Sequence, residues 1–243
     1  MATQPNVALV AGVGEGLGGA VARRFARGGH PTVLVARTAE RLARIAREIE
    51  AAGGRGIAYV ADLREESAVT KLFDDVEAEI GPIDVAVFNT GANFRASILD
   101  TPADMFEKVW RLGCYAGFLV GREAARHMVP RGRGTILFTG ATASLRGAAQ
   151  FAAFAAAKGG VRQVAQSMAR ELGPQGIHVA SIIIDGMIDS QRVRERFPER
   201  VAQLPADGML RPDDIAEVYW QLHQQPRDTW TFEVDLRPWA EKF

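Results

Sequence analysis

The segment VALVAGVGEGLG, residues 7–18, sets an apolar run directly before Gly12, Gly14, Gly16 and Gly18, after which helical periodicity begins. A buried strand that turns through glycines into a helix aims unpaired backbone N–H groups and the positive helix end at one point, where a phosphate fits. A merely tight turn would use glycine as well. The rest of the chain separates the two readings, because short apolar runs alternate with longer amphipathic segments throughout. That alternation is what a parallel sheet with helices on both faces writes into sequence. A glycine turn opening such a run is a nucleotide-binding turn.

The periodicity predicts strands at residues 7–11, 32–36, 56–60, 85–89, 135–139, 178–183 and 231–236. Helices are predicted at 18–27, 39–52, 66–80, 102–128, 151–172 and 212–224. Punctuation agrees: Gly28-Gly29 and Gly53-Gly54 end two helices, Thr101-Pro102 reads as an N-cap followed by proline in the first turn, and Asp213 and Asp214 follow Pro212. No repeat, low-complexity tract or Pro/Ser-rich linker divides the chain, so one α/β domain is expected over residues 1–243. The least regular stretch, residues 186–211, reads as a short helical insertion overhanging the cleft at the strand ends.

Charge and cysteine content exclude several classes. Twenty-nine basic and twenty-nine acidic residues cancel, so nothing argues for a nucleic-acid partner or for disorder. Arg41, Arg44 and Arg47 recur at helical spacing and read as a solvated face. Cys114 is the only cysteine, which rules out an intramolecular disulfide or a cysteine-rich metal site; no metal is expected. The opening MATQPNVALVAG lacks a charged leader, and its apolar run is too short for a membrane span, so a soluble cytoplasmic protein is expected.

Several motifs, in order, resemble those of the short-chain dehydrogenase/reductase family. The spacing Gly12, Gly16, Gly18 resembles the family's TGxxxGxG turn, with Ala11 at the threonine position. Ala61-Asp62-Leu63 resembles the segment whose aspartate contacts adenine, and Asn89-Thr90-Gly91 the NAG motif closing the fourth strand. Ser190, four residues after Gly186, stands where the family has a threonine touching the nicotinamide carboxamide. The resemblance covers essentially the whole chain and implies a Rossmann-like doubly wound sheet of about seven mostly parallel strands. It also implies a dinucleotide held by Gly12, Gly14, Gly16, Leu17, Gly18, Arg37, Thr38, Asp62, Leu63, Asn89, Gly91, Lys158, Gly186 and Ser190. The second strand ends in Ala36-Arg37-Thr38 instead of an aspartate, so NADP(H) is expected over NAD(H), with Arg37 on the 2′-phosphate. Glu15, beside Gly16, argues the other way.

The same resemblance exposes what is missing. The family's Y-x-x-x-K motif reads F-A-A-A-K here, so Lys158 stands while the tyrosine position holds Phe154. Thirteen residues earlier the serine position holds Ala141, and the asparagine position, five before Phe118, holds Gly113. The proline-glycine turn reads Asp185-Gly186. Positioned acid catalysis is worth ~10²–10⁴-fold, so ordinary carbonyl reduction should be severely slowed unless another group serves. Thr142, Ser144, Tyr115, Asp185, Asn93 and Arg95 are the replacements considered. Phe151 and Phe154 lie on one helix face, as core or as cleft wall.

The resemblance implies a divergent NADP(H)-dependent oxidoreductase moving hydride to or from a small, apolar or conjugated carbonyl or alcohol substrate. A second reading is a silent NADP(H)-binding relative acting as a sensor or partner protein, and a third leaves the fold serving assembly alone. A homodimer or homotetramer through the two long central helices is expected, the alanine-rich stretch 151–165 permitting close approach. The aromatic tail with Trp230, Phe232, Trp239 and Phe243 reads as a last strand and a short arm, packed on its own chain or on a neighbour.

Overall fold

Five consecutive residues with no exposed side chain, Val7–Ala11, form the first strand, β1. Burial on both faces is the mark of a strand inside a parallel sheet covered by helices on either side. A computed structural model describes residues 5–241. Its strands are β1, β2 (Thr32–Ala36), β3 (Gly56–Val60), β4 (Ile83–Phe88), β5 (Gly134–Thr139), β6 (Ile177–Ile184) and β7 (Glu233–Leu236). They form one sheet in the order β3-β2-β1-β4-β5-β6-β7, and every pairing is parallel. The strand order reverses between β1 and β4, which opens a crevice beyond their carboxyl ends. This is the Rossmann-like doubly wound arrangement.

Helices α1 (Leu17–Arg27), α2 (Ala39–Ala51), α3 (Glu66–Glu79), α4 (Ala103–Trp110), α5 (Ala116–Met128), α6 (Ala152–Leu172), α7 (Gln191–Arg196), α8 (Pro198–Ala202) and α9 (Pro212–His223) complete the chain. Apolar residues of α3, α5 and α6 bury one sheet face, and those of α1, α2 and α9 bury the other. Among the described residues no helix is long and apolar enough to cross a membrane.

The structure corrects the sequence reading in one helix, one cap and the bounds of two strands. The single helix expected over 102–128 is α4 and α5 joined by a π-helical turn, Arg111–Tyr115, which inserts extra backbone without ending the helix. Pro102 is the N-cap of α4, while the Thr101 hydroxyl donates to the Ser97 carbonyl at 2.6 Å and caps nothing. β4 begins two residues earlier than expected and stops before Asn89, and β7 begins two residues later. The segment 186–211 holds two short helices, its base closed by a parallel bridge between Ile188 and Leu210.

The π turn and α5 lie close against α6 because glycines face it. A Cβ at Gly113 would stand 2.9 Å from the Ala157 Cβ, and one at Gly117 would stand 2.6 Å from a Val161 methyl. One at Gly121 would stand 2.9 Å from the Met168 sulfur. Four-residue spacing puts these three glycines on one helix face. Gly113 is therefore a packing residue in this structure, and Cys114 beside it is buried. After β7 the chain turns back on itself: the Trp239 indole donates to the Ala206 carbonyl at 3.2 Å. Phe243 lies outside the described residues.

Candidate functional site

Gly12 has φ +100, and a Cβ there would meet the Asn89 carbonyl at 2.8 Å, so the turn after β1 admits only glycine. Cβ atoms at Gly14 and Gly16 would meet nothing within 4 Å, leaving that side of the turn open. The N-terminus of α1 has no side-chain cap and no acidic residue in its first turn. Open space in front of an uncompensated helix N-terminus fits a phosphate group.

A buried polar chain steadies this turn. Tyr219, fully buried on α9, shares a 2.7 Å hydrogen bond with the Thr139 hydroxyl at the end of β5. Thr139 donates to Asn89 Oδ1 at 3.0 Å, and Asn89 Nδ2 donates to the Gly12 carbonyl at 3.2 Å. The Thr139 carbonyl in turn accepts from Lys158 Nζ at 2.7 Å, with the Thr90 carbonyl at 3.1 Å. Lys158 is buried, and burial pulls its pKa down to about 8. Two of its three N–H groups are thus engaged, and the side chain lines the cleft. Gly91 makes room for it, since a Cβ there would stand 3.1 Å from Lys158 Cε.

At the other end of the crevice Arg37 is exposed, and its charge helps to hold the Asp62 carboxyl down. Thr38 starts α2 without a side-chain cap. Asp62 is gripped by Arg64, Nε at 2.9 Å and Nη2 at 2.5 Å, which holds its pKa down to about 2. Leu63 beside it is buried. Glu15 pairs with Arg44 at 2.5 Å, so its carboxylate is drawn toward α2.

The remaining residues surround a cleft of about 780 Å³. Ala141, Thr142, Phe151, Phe154, Asn93, Arg95 and Gly186 line it together with Lys158. Ser144, Tyr115, Gly113, Asp185 and Ser190 do not. The Ser144 hydroxyl accepts from the Ala141 N–H at 3.0 Å. Tyr115 stacks on Trp110, and Ser190 caps α7 by accepting from the Val193 N–H at 3.3 Å. Asp185 is buried directly behind Thr142, whose hydroxyl donates to its Oδ1, and Arg146 lies 3.9 Å from its Oδ2. That carboxylate faces a second cavity of about 60 Å³ on the far side.

The family model for short chain dehydrogenases matches residues 6–201. The chain belongs to the short-chain dehydrogenase family. A short-chain dehydrogenase/reductase of Armillaria gallica is 35% identical over 181 residues, covering 73% of this chain and 69% of its own. A short-chain dehydrogenase structure from Rhodopseudomonas palustris superposes with a TM-score of 0.82 at 45% identity, over 96% of this chain and 98% of that one. A metagenomic short-chain oxidoreductase in complex with NADP superposes at 0.81 with 28% identity, over 97% and 98%.

In this member of the family, sequence reasoning missed Thr139 and Tyr219, which lie 80 positions apart and meet only when α9 packs on the sheet. It also missed Arg146, Arg196, Phe197 and Arg200 on the cleft wall. The irregularity of the segment 186–211 was the one signal for Arg196, Phe197 and Arg200, and Arg146 had none.

Proposed function

We propose that this chain is an NADP(H)-dependent oxidoreductase acting on a small alcohol or carbonyl compound, with Thr142 and Asp185 handling the proton. The observation that carries the reading is Thr142, which lines the cleft with Ala141 and the buried Lys158 and donates to Asp185 directly behind it. By family resemblance Ala141 and Phe154 replace the usual hydroxyls, and Thr142 is the neighbouring hydroxyl that lines the same space. The glycine turn, the uncapped α1 and Lys158 fit a dinucleotide, and the exposed Arg37 fits the 2′-phosphate of NADP(H). Bound there, the nicotinamide would accept or supply the hydride.

The residues of the chain supply the rest. In the oxidation direction, hydride leaves the carbinol carbon while the alcohol proton passes to Thr142 Oγ1 and the Thr142 proton passes to Asp185 Oδ1. Reduction runs the same transfers backwards. Phe151 and Phe154 give the substrate apolar walls that exclude water. Exposed Phe106, Trp110 and Phe118 on α4 and α5 support a homo-oligomer built on these helices.

A silent nucleotide-binding protein is favoured by one observation: the Thr90 and Thr139 hydroxyls in the cleft are committed to the Leu112 carbonyl and to Asn89. A panel of secondary alcohols with NADP⁺, followed by NADPH absorbance, decides between them. Turnover above the buffer blank is expected, with NADPH raising thermal stability more than NADH does. Thr142→Val and Asp185→Asn should each lose ~10²-fold or more in rate while the NADPH shift persists. An NADPH shift without turnover selects the silent reading, and no shift at all rejects both.

A further inference from the structure

Hydride chemistry leaves the charge pattern of the cleft unexplained. Five ionisable side chains line it, Arg95, Arg146, Lys158, Arg196 and Arg200, and all are cations. The whole chain carries 29 basic and 29 acidic residues, so a wall assembled without regard to charge would include carboxylates. The four arginines come from three separate segments: the loop after β4, the loop after β5, and the α7–α8 pair. They share the wall with Phe151, Phe154 and Phe197.

Their charge is largely unspent. Arg95 donates from Nε to the neutral Gln150 side chain at 2.6 Å, and Arg196 lies 5.2 Å from the Phe197 ring centroid. Arg200 has no side-chain partner among the described residues. Arg146 alone faces a carboxylate, Asp185, at 3.9 Å, beyond hydrogen-bond reach, and that carboxylate is already engaged by Thr142. The same cleft reaches Leu17, the first residue of α1, where the open glycine turn fits phosphate, while the four arginines come from other segments. Guanidinium groups converging on a partly enclosed, carboxylate-free wall bind an oxyanion through charge-assisted hydrogen bonds.

We propose that the outer cleft takes an amphipathic anion, a carboxylate or phosphate monoester held by the arginines on a flat apolar body lying against Phe151 and Phe154. The inference rests on the oxidoreductase reading of this cleft and narrows its substrate to such anions. Naphthoate, naphthyl phosphate and neutral naphthamide, titrated calorimetrically into protein saturated with NADP⁺, test it. At least one anion should bind about tenfold or more tighter than naphthamide, and the tighter of the two identifies the group. Arg95→Gln, Arg146→Gln and Arg200→Gln, each verified as folded by its melting curve, should each weaken that anion about tenfold and leave naphthamide unchanged. Equal affinity for anion and amide overturns the proposal, as does absence of anion binding. Substitutions that weaken NADP⁺ alone also overturn it, since they assign these cations to the cofactor. If NADP⁺ itself fails to bind, the oxidoreductase reading falls, and the same titrations into the protein alone still decide the anion question.

Discussion

Lys158 shows what one buried side chain implies. Its ammonium is stripped of water and faces two carbonyls, and burial draws its pKa from 10.5 to about 8. The free protein therefore holds the proton below about pH 8 and sheds it above. A cofactor carrying phosphate charge favours the protonated form and raises that pKa, so affinity is full below pH 8 and declines as pH rises through the bound value. Calorimetric titration of NADPH on either side of pH 8 should show this decline, and Lys158→Met should flatten it. Lys158 was legible in sequence because its register with Phe154 matches a known motif. Thr139, which holds the lysine through its carbonyl and Asn89 through its hydroxyl, was not legible. A threonine closing a buried strand carries no sign of which backbone or side chain it will meet.

At the scale of elements, the approach of α5 to α6 leaves no room for a further methyl group. A Cβ at Gly117 would press on Val161 and on the Phe88 ring at 2.6 and 2.9 Å. Gly117→Ala is expected to destabilise the protein by ~1–3 kcal/mol although alanine favours helix, because the overpacked seam must shift. Gly159→Ala, on α6 where an added Cβ meets nothing within 4 Å, should stabilise by about 0.5–1 kcal/mol. Urea denaturation of the two variants should move in opposite directions. Strand and helix positions were readable from periodicity, and β1, β2 and β3 fall where expected. The π turn was not, because an extra residue inside a helix shifts the periodic pattern no more than ordinary sequence noise does. The alanine-rich stretch of α6 did signal close packing, and part of it, Ala157 and Val161, meets the glycines of its own chain.

The molecule as a whole divides its chemistry between the two edges of the sheet. The carboxyl edge carries the cleft, while residues on α1, α9 and the loop before β2 gather Phe25, His30, Trp220 and His223 into an edge-on cluster elsewhere. Burial draws the pKa of His223 down from 6.5 to about 4, against the opposing pull of Asp84. The unfolded chain takes up this proton as pH falls through 6.5, whereas the folded chain resists until about 4. Stability is thus complete above pH 6.5 and is lost on acidification toward 4. Urea midpoints across this interval should fall steeply in the wild type and less steeply in His223→Gln, which keeps a partner for the Thr135 hydroxyl. A doubly wound, mostly parallel sheet of about seven strands was foreseeable from alternating elements plus the family resemblance; the meeting of distant groups such as His223 and Thr135 was not, since packing alone brings them together.

The hydrogen bond from Trp239 to Ala206 has a practical side. The chain enters the sheet at the amino end of β1, at the opposite edge from the cleft, but leaves it at the carboxyl end of β7 and then lies against the segment carrying α7 and α8. Pro238, after β7, packs against Gly186, which lines the cleft, so an affinity handle is better joined ahead of β1 than behind β7.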